Sequence, residues 1–300
     1  MATGQLIIGV GVATLDIVNR VTNYPAEDAE MRAIGQRLSR GGNVTNSLTV
    51  LSQFGHQCAW LGTCADDHAA MFIMNELRQN GIVTDQVIHH PGTTSPTSFI
   101  TVSQLTGSRT IVHYRTLPEL TADEFAQVSL DNCRWIHFEG RQPDHTAKMI
   151  ARVQHDYPHL PISIEIEKNR PGIEGLLLPV QALLFSRAFI IATGAHDPRQ
   201  FLIRQQSISH AALCIAAWGA DGAYAVTNDH IPQFVPAYRP PMLIETLAAG
   251  DVFNAAIIDG LLKQLPLVQV LTRAVHLSGY HCGREGLDGL IKSAAAAGIL

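Results

Sequence analysis

The segment ETLAAGDVFNAAIIDGLL, residues 245 to 262, places Ala248, Ala249 and Gly250 directly before Asp251. Phe253, Ala256, Ile257, Gly260 and Leu261 then recur at helical spacing, which predicts a helix that starts at this acid and buries one apolar stripe. A helix start carries unpaired N–H groups and the positive end of the dipole, so it favours an anion, and small side chains let a phosphate come close. Asp251 could take a hydroxyl proton there while the N–H groups of Ala249, Gly250 and Asp251 hold the charge developing on a transferring phosphoryl group. The same segment also suits an ordinary first-turn acid or cap.

A second constellation is SRGGNVTNS, Ser39 to Ser47. Its two glycines permit an unusual backbone and close ligand approach. Asn43 and Asn46, three apart, share one side of the following helix and offer amide groups suited to a polyol. Asp16, at the end of the first apolar run, adds an acceptor for hydroxyls. Read alone, Gly41-Gly42 also fits a turn and Asn43 an N-cap. In ISIEIEK, strand alternation puts Ile162, Ile164 and Ile166 on one face and Glu165 and Glu167 on the other. Two acids at the C-terminal end of a parallel strand can hold Mg²⁺ through waters and phosphate oxygens, or stand as solvated strand-end acids. Arg109, in GSRTI, could reach a phosphate or be a plain surface arginine.

These residues need elements to hold them. LIIGVGVATLD reads as a buried first strand, and Val44, Leu48, Leu51 and Phe54 give a helix from Gly42-Asn43 that Gly55 stops. QCAWLG reads as a strand and Ala70 to Asn80 as a helix. Strands near RWIHF, ISIEI, ALLFS and LCIAAW alternate with helices near 144–156 and 197–206, the pattern of a parallel sheet covered on both faces. Two segments break the rhythm. Glu30 to Arg40, and Ser98 to Tyr114 with a hairpin at Leu105-Thr106-Gly107, could build a small sheet outside the main one. A further hairpin is expected at Asn228-Asp229, and Pro266 opens a last long helix. No repeat or long linker appears, so the chain reads as one domain carrying a β-rich lid.

Composition narrows the function classes. A chain of 300 residues, 46% hydrophobic and 16% charged, can bury a sizeable core. A net charge of −5 without a dense Lys/Arg run argues against nucleic acid as a partner. Five cysteines without CxxC spacing fit free thiols in a reducing compartment, hence the cytoplasm. The N-terminus lacks a basic n-region, and the apolar stretch Leu176 to Ala192 is broken by Pro179, Gln181, Ser186 and Arg187, so no membrane partner is expected. The 14 histidines form no HExxH motif, GVGVAT lacks the third glycine of a dinucleotide fingerprint, and GxxxxGK[ST] does not occur.

Together, GGNVTNSLTVLSQFG and TLAAGDVFNAAIIDGL, in this order and about 200 residues apart, resemble the two signatures of the ribokinase-like (PfkB) carbohydrate kinases. NYPAED, SRGGNVTNS, GSRTI, WIHFEGR, EIEK, AGDVFNA and HCGREGLDG are similar to the ketohexokinase branch of that family, from about Gly9 to Ile291. The resemblance implies an α/β fold: an αβα sandwich with a mostly parallel central sheet, one domain over residues 1–300, and a β lid from roughly 12–40 and 95–116 that clasps a second subunit as a homodimer. It implies transfer of the ATP γ-phosphate to the 1-hydroxyl of a ketohexose such as fructose, with Mg²⁺ and K⁺. By position, Asp16, Asp28, Gly42, Asn43 and Asn46 would bind sugar and Asp251 would act as base beside an anion hole at Ala248, Ala249 and Gly250. Arg109 would reach the nucleotide phosphates, Trp218, Gly219, Gly222, Gly250 and Cys282 would border the nucleotide, and Glu165 and Glu167 would sit near metal and phosphate.

A kinase for ribose, another sugar or a nucleoside, and a sugar- or nucleotide-binding protein without turnover, are the alternatives. The family's usual DTxGAGD reads ETLAAGD here, with Glu245 for aspartate and Ala248 for glycine. A positive φ at Ala248 would strain the chain by about 1 kcal/mol or more. The lid sequence HYRTLPEL is one residue shorter than its ketohexokinase counterpart, which bears on sugar specificity.

Overall fold

The computed structural model describes residues 5–300; residues 1–4, the lead-in to the expected first strand, lie outside them. In chain order, β1 (Leu6–Val10), β2 (Thr14–Val21) and β3 (Gly35–Gly41) precede α1 (Asn43–Gln53). Then come β4 (Gln57–Leu61), β5 (Thr63–Cys64), α2 (His68–Gln79), β6 (Ile82–Val83) and β7 (Ile88–His89). β8 (Thr97–Ser103) and β9 (Arg109–Tyr114) form the expected hairpin, followed by α3 (Ala122–Phe125), β10 (Cys133–Glu139), α4 (Pro143–Asp156) and β11 (Ile162–Ile166). β12 (Ala182–Ser186), α5 (Arg187–Ala192), α6 (Pro198–Ser209), β13 (Leu213–Ala217), β14 (Gly222–Thr227) and β15 (Gln233–Pro236) continue the chain to α7 (Ala249–Leu262), α8 (Leu267–His281) and α9 (Leu290–Ala296).

A nine-stranded sheet in the order β15-β14-β13-β12-β11-β10-β1-β4-β6 forms the centre, parallel except at β13-β14 and β14-β15. Strand alternation sorts its side chains into two cores. Ile7, Trp135, Leu184 and Ile215 point into one with α1, α7 and α8; Ile8, Phe138, Phe185 and Cys214 point into the other with α4 and α6. Each large apolar side chain so buried stabilises the fold by about 1.5–3 kcal/mol. The expected one-sided stripe on α7 is too narrow: every residue from Asp251 to Gly260 is buried, because α1, α8 and the sheet enclose this helix.

The run LIIGVGVATLD is not one strand. β1 ends at Val10, and the chain leaves the large sheet through Gly11-Val12-Ala13 to start β2 of a separate sheet ordered β3-β2-β8-β9. A Cβ on Gly11 would lie 2.6 Å from Cδ of Glu139, so only glycine allows that exit. Asp16 therefore belongs to the small sheet. In that sheet β2-β3 and β8-β9 are antiparallel and β2-β8 is parallel; of the expected segment Glu30 to Arg40, only the part from Gly35 pairs. No described helix is long and apolar enough to cross a membrane.

Candidate active site

The carboxyl ends of β10 and β11 bring two acids side by side, since Glu139 and Glu165 are register partners on neighbouring parallel strands. Like charges at paired positions destabilise a sheet, so each needs neighbours that hold it. Glu139 accepts the N–H groups of Val44 at 2.8 Å and Val12 at 3.2 Å. It thereby fills the N-terminus of α1, whose cap residue Gly42 has no side chain to do so and takes φ 105°, a region glycine enters freely. Glu165 accepts Asn254 Nδ2 at 3.0 Å and Asn43 Nδ2 at 3.1 Å, and the same Asn43 amide donates to Glu167 at 3.1 Å. Burial pushes Glu165 well above the usual carboxylate range, and the charges of Asp251, Glu139 and Glu167 add to the rise. Burial raises Glu139 as well, against Arg141 and its two N–H donors.

Asp251 sits in the first turn of α7, buried, with one carboxylate oxygen 2.7 Å from Asn46 Nδ2. Asn46 is set in turn by Arg40, whose Nη1 donates to its Oδ1 at 3.1 Å and to Thr45 Oγ1 at 2.6 Å, while Nη2 donates to Thr49 at 2.8 Å. Ser47 Oγ donates to the Asp251 carbonyl at 3.0 Å, fastening α1 to α7. Burial pushes the Asp251 carboxyl up to about 8; Asn46 opposes the rise, Glu139 and Glu167 add to it, and Arg40 opposes it. Among the described residues no backbone acceptor takes Gly250 N–H or Asp251 N–H, while Val252 N–H already bonds Ala248 at 2.9 Å. Two donors thus remain at the positive end of the helix.

The start of α7 stands between two cavities. One, of about 360 Å³, is lined by Asp16, Arg40, Asn46 and Ala248. The other, of about 470 Å³ and mostly apolar, is lined by Gly219, Gly222, Tyr238, Ala249, Gly250 and Cys282. A helix start with free N–H groups and a buried acid, set between a polar and an apolar cavity, can pass an anionic group from one bound molecule to another.

The sequence model of pfkB family carbohydrate kinases matches residues 5–155 and 190–293. The chain belongs to that family. It is 35% identical to ketohexokinase of Mus musculus over 293 residues, 95% of this chain and 98% of that protein. Solved structures share the fold at lower identity: a putative ribokinase from Agrobacterium tumefaciens (TM-score 0.82, 18% identity, 98% of both chains) and an Arabidopsis thaliana ribokinase complexed with ribose and ATP (TM-score 0.77, 14% identity, 97% and 98%). The ribokinase-like fold is therefore that of this pfkB chain, a large mostly parallel sheet beside a small one.

Against this pfkB frame the expected residues divide. Asp16, Asn46 and Ala248 share one cavity, and Gly219, Gly222, Ala249, Gly250 and Cys282 share the other. Asp16 accepts Thr14 Oγ1 at 2.9 Å and is raised by burial. Asn43 is drawn into the acid cluster by Glu165 and Glu167, away from Asn46's partners, and Gly42 forms the turn beneath it. Arg109 donates to Thr246 Oγ1 at 3.1 Å in a cleft beneath the small sheet. Trp218 is buried behind the apolar cavity with the Arg187 guanidinium 5.3 Å over its ring. Asp28 is exposed in the loop between β2 and β3, with φ 61°, and lines neither cavity within the single chain.

Sequence reading missed Glu139, Arg40 and Asn254. The signals are visible in retrospect: Glu139 ends RWIHFE as Glu165 nearly ends ISIEI, Arg40 directly precedes the glycine pair, and Asn254 lies three residues after Asp251 on one helix face.

Proposed function

We propose that this chain is an ATP-dependent ketohexokinase-like enzyme that phosphorylates a ketohexose such as fructose at its 1-hydroxyl. The observation that carries the reading is the start of α7 between the cavity of Asp16 and Asn46 and the apolar cavity of Gly219, Gly222 and Cys282. The 35% identity to a ketohexokinase over nearly the whole chain supports the acceptor class. In this proposal the sugar hydroxyl faces Asp251, whose carboxylate takes the proton as the oxygen forms its bond to the γ-phosphorus. The bond to the bridging oxygen of ADP breaks, and Gly250 and Asp251 N–H hold the charge spread over the phosphoryl oxygens. Asn46 keeps the base aimed, and the raised proton affinity of Asp251 makes it a stronger base than an exposed aspartate.

A divalent cation fits the acid cluster. Burial first, and then the charges of Asp251, Glu139 and Glu167, raise Glu165, so a hard cation such as Mg²⁺ with oxygen ligands would be favoured beside it. Among the described residues no three metal-ligating side chains form a ready cage, so Glu165 and Glu167 would share the ion with other ligands. Such an ion would neutralise phosphate charge. A potassium requirement stays with the proposal on resemblance.

The small sheet serves as lid and as the homodimer contact in this reading. Leu38, Phe99 and Val112 share one register row and are 53%, 48% and 63% exposed, an apolar face suited to a second copy. The experiment is coupled ADP release across ketoses, aldoses and nucleosides, with Asp251→Ala beside the native protein. Fructose should give the highest turnover and the variant should lose about 10²–10⁴-fold. Turnover favouring ribose would replace the acceptor; a variant within about tenfold of native would remove the base.

A further inference from the structure

The loop that leads into α7 is held from outside at three consecutive residues. Glu245 pairs with Arg37 of β3 and also accepts Gly286 N–H at 3.0 Å. Thr246 accepts Arg109 of β9 at 3.1 Å. The Leu247 carbonyl accepts from His281 Nε2 at 2.7 Å. The next residue, Ala248, stands at φ 63° and ψ 6°, the left-handed region an L side chain enters only under strain. Then come the free N–H groups of Gly250 and Asp251. A strained backbone persists where its surroundings over-determine it, and these grips are those surroundings.

Two of the grips come from the small sheet. Arg37 and Arg109 lie on its inner face with Val18 and Ile100, and Arg20 of β2 adds an ion pair to Glu285 beside Gly286. Arg37 and Glu245 line both the cleft beneath the small sheet and the cavity of Asp16 and Asn46, so their pair forms the wall between them. The pair is partly withdrawn from water, with side chains 33% and 16% exposed, where a charge-assisted hydrogen bond is screened less than at the surface.

We infer that Arg37 is a positioning residue for phosphoryl transfer: through Glu245 it ties the small sheet to the loop that shapes the start of α7, so seating the sheet and aligning the Gly250 and Asp251 N–H groups are one event. This rests on the phosphoryl-transfer reading and adds to it the device that couples sheet and anion site. Glu245, where the family usually has aspartate, has the extra methylene with which to span from the loop to Arg37.

Arg37→Ala, Glu245→Gln and the double variant test it by steady-state kinetics. Each single variant should lower kcat about tenfold with sugar KM within about threefold, and the double variant should be no worse than the weaker single, as for two groups acting as a unit. Arg37→Lys should recover part of the loss, because it keeps the charge. In Arg37→Ala without substrate, amide exchange across residues 246–251 should speed up while exchange in β10 and β11 does not. A kcat within about twofold of native, or losses that multiply in the double variant, overturns the inference. If the native protein phosphorylates no acceptor, that failure belongs to the kinase reading; the exchange measurement then decides, and unchanged protection of 246–251 overturns the coupling. Should Arg37→Ala not fold, Arg37→Lys and Glu245→Gln carry the same test.

Discussion

Asn46 donates its amide to Asp251 at 2.7 Å while its carbonyl oxygen accepts from Arg40 at 3.1 Å, so a buried guanidinium decides which side of the amide meets the base. The amide cannot be reversed without setting its NH₂ against Arg40 and its oxygen against the carboxylate. Asn46→Ala should therefore leave two buried groups short of a partner and cost about 1–3 kcal/mol in denaturant unfolding. Turnover should fall as well, by a factor smaller than for Asp251→Ala. Native stability in Asn46→Ala would disprove the relay.

Asp251 titrates at about 8 when folded against 3.8 for the free group, so between these values the folded state binds the extra proton and stability falls as pH rises. Glu165, Glu139 and Asp16 are raised too and act in the same sense. The buried histidines His137 and His281, and the exposed His113 on β9, are lowered from 6.5 and act in the opposite sense, but only below that value. Unfolding free energy should thus decline from about pH 6.5 to about pH 8, and Asp251→Asn should flatten the decline. Equal slopes for the two proteins would show that Asp251 ionises normally.

Ala248 has φ 63°, where glycine carries no Cβ strain. Ala248→Gly relieves about 1–2 kcal/mol of strain and loses about 0.4–1 kcal/mol to the freer unfolded chain. Thermal unfolding should shift upward slightly or stay put, with turnover kept. Ala248→Val should fail on both measures, since a β-branched side chain resists this backbone. A Gly variant that loses turnover would mean that the methyl group itself is needed.

Glu139 accepts from both Val12 and Val44. Glu139→Gln keeps the shape but turns one oxygen into a donor facing an N–H group, and should cost about 1–3 kcal/mol of stability. Calorimetric titration with Mg²⁺ and ATP should also show weaker binding, because an acid leaves the cluster beside Glu165. Unchanged unfolding would show that α1 does not depend on this acid.

Phe99→Asp and Val112→Glu put charges on the exposed face of the small sheet. Sedimentation should find the native chain dimeric and the variants monomeric. A native monomer at all concentrations rejects the dimer and leaves the site within one chain untouched.

The sequence by itself determined the alternation of strands and helices, the glycine turn into α1 and the acid at the start of α7. These rest on short-range physics: side-chain period, backbone freedom at glycine, and the unpaired N–H groups of a helix start. It also marked Ala248 as the place where strain would fall, because a positive φ penalises any Cβ. Only tertiary structure decided who meets whom. Asn46 and Asp251 are 205 residues apart, Arg37 and Glu245 are 208 apart, and Val44 and Glu139 are 95 apart. Nothing in local spacing encodes such polar pairings, which form where packed elements converge at the ends of β10 and β11. The same convergence drew Asn43 to Glu165, and it ended β1 at Val10, where Glu139 fills the space a side chain on Gly11 would need.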